Sequence, residues 1–311
     1  MQSRLAALAL GLLFTLGVQS VPPARAQNFQ TISVGGGFSE GQAQAYYAQD
    51  EGFFAKAGLT VKIQQLQSGS AIAAAVASGD LQFGVGNALP VAQAYARGIP
   101  FQIVAPGAFL YAAENKSQFL VVAQNSTIHT AQDLTGKIVA ATSLGGLDQM
   151  VAETWIDKNG GQASSVKFIE LPQPSMVAAL TDGRISAAMM QDPALTAAGD
   201  RIRVLGNAYG SIANVYYQSV WFSTKDFVTK NPQLTRKFAD AVAQAGAWAE
   251  THPEQAAAVL EKYTKLREPK TTLKFGRTLD ASMVQPILES ATRYKLVPSP
   301  VVARDLIWNG R

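Results

Sequence analysis

The chain has no cysteine and only two histidines among its 311 residues, and charged side chains make up just 15% of it. Without cysteine there is no disulfide, no thiolate nucleophile and no thiolate metal site, so burial and hydrogen bonding must hold the fold. His129 lies in the polar stretch NSTIHTAQDLTG, and His252 precedes Pro253 at a helix start. Both are surface contexts. No H-E-x-x-H and no phosphate-loop pattern occurs. GGGFSEG (35–41) is glycine-rich after a strand, yet it lacks the G-x-G-x-x-G spacing and the acidic ribose partner of a dinucleotide site. Asp192 could act as a base, but no nucleophile accompanies it, so no enzyme activity is expected.

An excess of one charge is also missing. Arg4 is followed by an apolar run over Leu5–Val18, and Ala24-Arg25-Ala26 precedes Gln27. That order is a secretory signal cleaved after Ala26. The run is shorter than the ~20 residues of a membrane-crossing helix. Setting aside Arg4 and Arg25 brings 26 basic residues to 24, against 22 acidic ones. This near-balance gives no footing for nucleic acid. No cysteine is present to carry a lipoprotein anchor. The expected product is a freely diffusing periplasmic protein, residues 27–311, long enough for two lobes.

What is present is alternation. Strand-like Thr31–Val34, 59–66, 81–86 and 101–107 are separated by helix-like 43–49, 71–77 and 87–98. After the polar stretch around 111–119 a strand follows to 124, and a second series runs through 137–146, a helix from 148 to 158, 166–175, a helix at 176–182, and ISAAMMQDP. Strands alternating with helices predict mostly parallel sheets. The two series echo one another, SGDLQFGVGNALP (78–90) against TDGRISAAMMQDP (181–193). A repeated unit predicts two similar lobes. VYYQSVWFS (215–223) reads as one long return strand, and helices follow over 232–250, 253–263 and about 280–294. The chain is thus expected to cross twice, near 111–119 and 209–219, giving lobe one as 27–110 with 218–311 and lobe two as 111–217.

In open parallel sheets, ligands sit beyond the carboxyl ends of strands. Those places are 35–39, 68–70, 86–87, 106–109, 142–146, 173–175 and 191–192, rich in small, hydroxyl and amide residues, with no clear arginine. The first amides of the helices that follow are unpaired and partly positive, so they can hold a polar or anionic group. Each position has a plainer role as well. Ser70, Ser143 and Ser175 suit helix caps, Gly35–Gly37 suits a tight turn, and Asp192 suits a cap with Pro193 behind it. Asn87 and Gln191 occupy matching places in the two copies. Phe38, Tyr46, Tyr47 and Trp221 offer an apolar wall or plain core.

The stretch YYAQDEGFFAKAGLTVKIQQLQSGSAIAAAVASGDLQFGVGN (46–87) resembles the periplasmic substrate-binding proteins of ABC importers for sulfonates, taurine, nitrate and thiamine precursors, the NMT1-like family. AQDLTGKIVAA (131–141) is similar to that family's lobe-two opening, and GRISAAMMQDP (183–193) to its second strand-end motif. The resemblance implies an α/β, two-lobed, type II periplasmic binding fold that closes on its ligand. It also implies ligand contacts at Phe38, Ser39, Ser68, Ser70, Asn87, Thr142, Ser143, Gln191 and Asp192. The expected partners are a small-molecule solute and ABC permease subunits, with no cofactor, no nucleic acid and a monomeric state. The alternatives are a periplasmic sensor engaging a receptor, or an enzyme of the thiamine-pyrimidine or desulfination type. Relatives of the enzyme types use cysteine or histidine.

Overall fold

The computed structural model describes residues 29–310 apart from 67, 117, 193 and 266–272. The expected signal segment therefore lies outside the described residues. The first half of the chain lays down β1 (Gln30–Gly36), α1 (Gln44–Asp50), α2 (Phe53–Lys56), β2 (Leu59–Gln65), α3 (Gly69–Ser78), β3 (Phe83–Gly86), α4 (Ala88–Ala96) and β4 (Phe101–Pro106). A short strand β5 (Phe109–Tyr111) follows. Next come β6 (Gln118–Ala123), β7 (Ile138–Ala141), α5 (Leu147–Lys158), β8 (Lys167–Glu170), α6 (Gln173–Thr181), β9 (Ala187–Gln191), α7 (Ala194–Ala198) and β10 (Ile202–Gly206). The chain returns through β11 (Val215–Tyr217) and β12 (Val220–Thr224), then continues as α8 (Lys225–Lys230), α9 (Pro232–Thr251), α10 (Pro253–Thr264), α11 (Gln285–Arg293) and α12 (Ala303–Leu306).

Two five-stranded sheets result, ordered β2-β1-β3-β12-β4 and β8-β7-β9-β6-β10. In the first, β1 runs parallel to β2 and β3, while β12 is antiparallel to β3 and β4. In the second, β7 runs parallel to β8 and β9, while β6 is antiparallel to β9 and β10. Four strands agree in direction in each sheet, and the odd one is the strand laid down just after a crossing. The sheets are mostly parallel, as the alternation predicts. The echoed segments are β3 and β9, third in their respective sheets. Before each stands a glycine with left-handed backbone, Gly79 (φ 88°) and Gly183 (φ 69°), with nothing within 4 Å of an added Cβ. Conformation rather than space demands glycine there.

The expected single return strand is two strands. β11 pairs antiparallel with β5, forming a ribbon of its own, and β12 enters the first sheet. The break falls at Gln218–Ser219. There the Ser219 hydroxyl accepts from the Ala108 amide at 2.9 Å and donates to the Gly41 carbonyl. The expected helix from 280 also starts late. Asp280 caps a single 3-10 turn through the Ser282 amide (2.8 Å), and α11 begins at Gln285. Pro286 has no N–H to give, so it fits only a first turn.

Burial explains the assembly. Amphipathic α9 packs Phe238 flat on Phe83 (centroids 4.0 Å, 4° between planes) and edge-on to Trp221. A second core is continuous between the sheets, joining Leu89 and Val91 of α4, Met150 and Val151 of α5, and Ile287 and Leu288 of α11. Next to α11, the Tyr294 hydroxyl donates to Asp157 of α5 at 2.8 Å. Among the described residues, no helix is long and apolar enough to cross a membrane.

Candidate functional site

The strand tips of the two sheets border one cleft of about 950 Å³. That is within the range of small-molecule sites, roughly 300–1,000 Å³. Phe38, Ser39, Ser68, Ser70 and Asn87 line it from the first sheet's side, and Thr142, Ser143, Gln191 and Asp192 from the second. The loop at 106–109 does not reach it, because β4 lies at the sheet edge beyond β12 and leads into the β5–β11 ribbon.

On the first wall the cap of α3 is Ser68, whose hydroxyl accepts from the Ala71 amide at 3.2 Å. Ser70 is the second residue of α3, with its hydroxyl 3.0 Å from that of Ser68. Asn87 combines two roles. Its side chain caps α4 by accepting from the Leu89 amide at 3.0 Å, and it faces the cleft. Gly35–Gly37 is no tight turn. None of the three has a positive φ, and a Cβ added at Gly35 would meet buried Ile72 at 2.8 Å and Leu81 at 2.9 Å. Close packing keeps side chains out.

The second wall is more polar. Ser143 and Ser175 cap nothing: α5 begins after Gly146 and α6 after Pro172. Asp148, in the first turn of α5 and only 8% exposed, accepts from the hydroxyls of Tyr209 and Thr142. A carboxylate there also complements the positive end of the helix. Burial first, and then the Asp148 charge, push the Tyr209 phenol well above its ordinary value, so it stays a donor. Asp192 takes the capping role, accepting from the Thr196 amide (3.0 Å) and hydroxyl (2.6 Å). Its expected neighbour in that role, Pro193, lies outside the described residues.

The expectation of a cleft without arginine is corrected: Arg201 lines it. The residue follows α7 rather than a strand, so strand-tip reasoning passes it by. Its guanidinium donates to the carbonyls of Ala197 (2.8 Å) and Ala198 (3.0 Å), closing the helix end. Trp221, Tyr46 and Tyr47 are fully buried in the core, and Phe38 is the aromatic of the four that reaches the cleft. Sequence reasoning also missed Gln42, Gln93, Gln118, Asp148, Tyr209 and Gln218. Gln93 bridges the two walls, its side-chain amide donating to the Gly145 carbonyl at 3.0 Å. Among the described residues no cluster of three His, Asp or Glu side chains is placed for a metal. The chemistry on offer is hydrogen bonding from carboxamides, hydroxyls and helix starts.

A family model described as NMT1/THI5 like matches residues 41–256. The taurine-binding periplasmic protein of Escherichia coli (strain K12) is 29% identical over 223 residues, covering 70% of this chain and 66% of that protein, just under two thirds of its length. The crystal structure of the periplasmic aliphatic sulphonate binding protein SsuA from Escherichia coli matches with a TM-score of 0.73 at 20% identity, covering 90% of this chain and 92% of that one. The desulfurization enzyme DSZB matches at 0.63 and 15% identity, covering 89% and 96%. The fold is thus the two-lobed type II periplasmic binding fold, which serves binding proteins and at least one enzyme. Matched by that model over more than half its length, the chain belongs to the NMT1/THI5-like family.

Proposed function

We propose that this protein is the solute-binding component of an ABC importer, capturing a small organic solute between two lobes in the periplasm. In this reading lobe one is 27–110 with 218–311, lobe two is 111–217, and residues 1–26 direct export and are removed. The solute is a sulfonate, a pyrimidine or thiamine-precursor type, or a related organic acid. Phe38, Ser39, Ser68, Ser70, Asn87, Thr142, Ser143, Gln191 and Asp192 contact it. The closed monomer then engages the permease subunits. The observation that carries this is the single cleft bordered by the strand tips of both sheets, with α3 and α4 starting on one wall and α5 and α6 on the other. A solute touching both walls favours the closed arrangement by its differential affinity. The taurine- and sulphonate-binding relatives support the solute class. Catalysis is left out because neither histidine lines the cleft and the chain has no cysteine.

A thermal-shift screen of the purified protein against sulfonates, nitrate, pyrimidines, flavins and aromatic acids tests this. A binding solute at a hundred times its Kd stabilises the fold by about 2.7 kcal/mol, a shift easily read. Asn87→Ala should weaken binding of the hit several-fold and lower stability by about 1 kcal/mol through the lost cap. Asp192→Ala should also weaken binding. Unchanged affinity in both variants overturns the site assignment, and turnover of the solute overturns the transport reading.

A further inference from the structure

The second wall of the cleft contains an acceptor that nothing among the described residues satisfies. Gln118 opens β6, lines the cleft and is 8% exposed. Its carboxamide oxygen is shut off from solvent and has no hydrogen-bond partner among the described residues. Such buried unpaired groups are uncommon, because leaving a buried acceptor unmade costs its full desolvation. Several neighbouring acceptors on this wall are already engaged. Asp148 takes the Tyr209 and Thr142 hydroxyls, Asp192 takes Thr196, and the Gln173 oxygen takes the Gln191 amide at 3.2 Å.

Placement favours a role toward the cleft. Gln118 stands directly opposite Gln191 in the antiparallel β6–β9 ladder, so the two side chains leave the same face of the sheet. Gln191 lines the cleft as well. The last torsion of a glutamine side chain is broad, so the amide can turn without moving the strand.

We propose that Gln118 is a specificity-determining residue whose carboxamide oxygen accepts from an N–H or O–H group of the solute. The cleft then selects solutes that carry such a donor over solutes that offer acceptors alone. Helix starts on both walls present amides to an anionic or ring-nitrogen acceptor, and Gln118 takes the donor. The fitting class is a small solute with an amine, amide or hydroxyl at one end and an acceptor group at the other. This inference rests on the solute-binding reading above.

Titration calorimetry on the full chain with two matched pairs tests it: taurine against ethanesulfonate, and 4-aminopyrimidine against pyrimidine. At least one donor-bearing member should bind roughly ten-fold more tightly than its partner. Gln118→Met should abolish that preference, while Gln118→Glu, which keeps an acceptor in place, retains it. The ligand-free Gln118→Met protein should melt at or above the parent temperature, since an apolar group replaces an unsatisfied one. Equal affinity within both pairs, preference for the donor-free members, or a lower melting temperature for ligand-free Gln118→Met overturns the inference and leaves the solute-binding reading standing. Absence of saturable binding for all four probes overturns both for these solute classes.

Discussion

At the residue scale the informative groups are polar ones held where water does not reach. Glu153 of α5 is one. Gln149 donates to one carboxylate oxygen at 2.8 Å, and the other oxygen is buried with no partner among the described residues. Burial raises its pKa above the ordinary glutamate range, and the charge of Asp157 adds to that. The folded protein therefore binds this proton more tightly than the unfolded chain does. Stability contributed by the site is full at low pH and is lost as pH rises through the raised folded value. Glu153→Gln should accordingly raise the melting temperature at pH 7.5 and make no difference below the ordinary glutamate range. Melting curves of the two proteins from pH 4 to 8 check this, and parallel curves would show that Glu153 titrates normally. Nothing in the sequence around Glu153 signals this. The stretch DQMVAETW reads as an ordinary helix, and what shuts the carboxylate off is supplied by the fold.

At the element scale, buried polar pairs tie together parts of the chain that are distant in sequence. Gln44 of α1 and Trp221 of β12 are both fully buried. The indole donates to the Gln44 oxygen at 2.9 Å, and the Gln44 amide donates to the Val242 carbonyl of α9 at 3.0 Å. With the Pro106 carbonyl of β4 also within reach of that amide at 3.4 Å, four elements meet on one carboxamide. Gln44→Leu and Trp221→Phe should each cost about 1–3 kcal/mol by orphaning a buried partner. Together they should cost less than the sum, since neither partner is then left unpaired. A double-mutant cycle by urea unfolding measures this, and strict additivity would remove the pair from the account. Element positions themselves were largely legible. The strands at 59–65, 83–86 and 187–191 and the helices from Pro232 and Pro253 follow from alternation, glycine stops and proline starts. Caps were less so. Ser68, not Ser70, caps α3, because which serine falls just outside the first turn depends on where the helix actually begins. The split of the return strand was illegible, for the bend depends on Ser219 meeting Ala108 and Gly41, partners far away in sequence.

At the scale of the whole molecule, α11 and its neighbour Tyr294 hold the two sheets in one arrangement. α11 packs its buried Ile287, Leu288 and Ala291 into the core shared with α4 and α5. Burial, together with the hydrogen bond to Asp157, pushes the Tyr294 phenol up to about 12, so it remains a donor across any physiological pH. Gln93 of α4 also reaches Gly145 across the cleft. Tyr294→Phe should loosen the arrangement while leaving the apolar packing intact. Small-angle scattering of the ligand-free variant should give a larger radius of gyration than the parent, with solute affinity lowered several-fold through the reduced population of the competent state. Identical scattering and affinity would mean that the apolar core alone sets the arrangement.

The sequence by itself determined the class of the fold, the repeat of one βα unit, the exclusion of thiol chemistry and the strand-tip residues that come together, because alternation, glycine stops and helix starts are local properties of the chain. Tertiary structure alone decided that Arg201 and Asp148 join the cleft, that Trp221 and two tyrosines are core, and that the Gln118 oxygen has no partner among the described residues. Those outcomes depend on which surfaces meet when two sheets close over a shared core, and no window of adjacent residues carries that information.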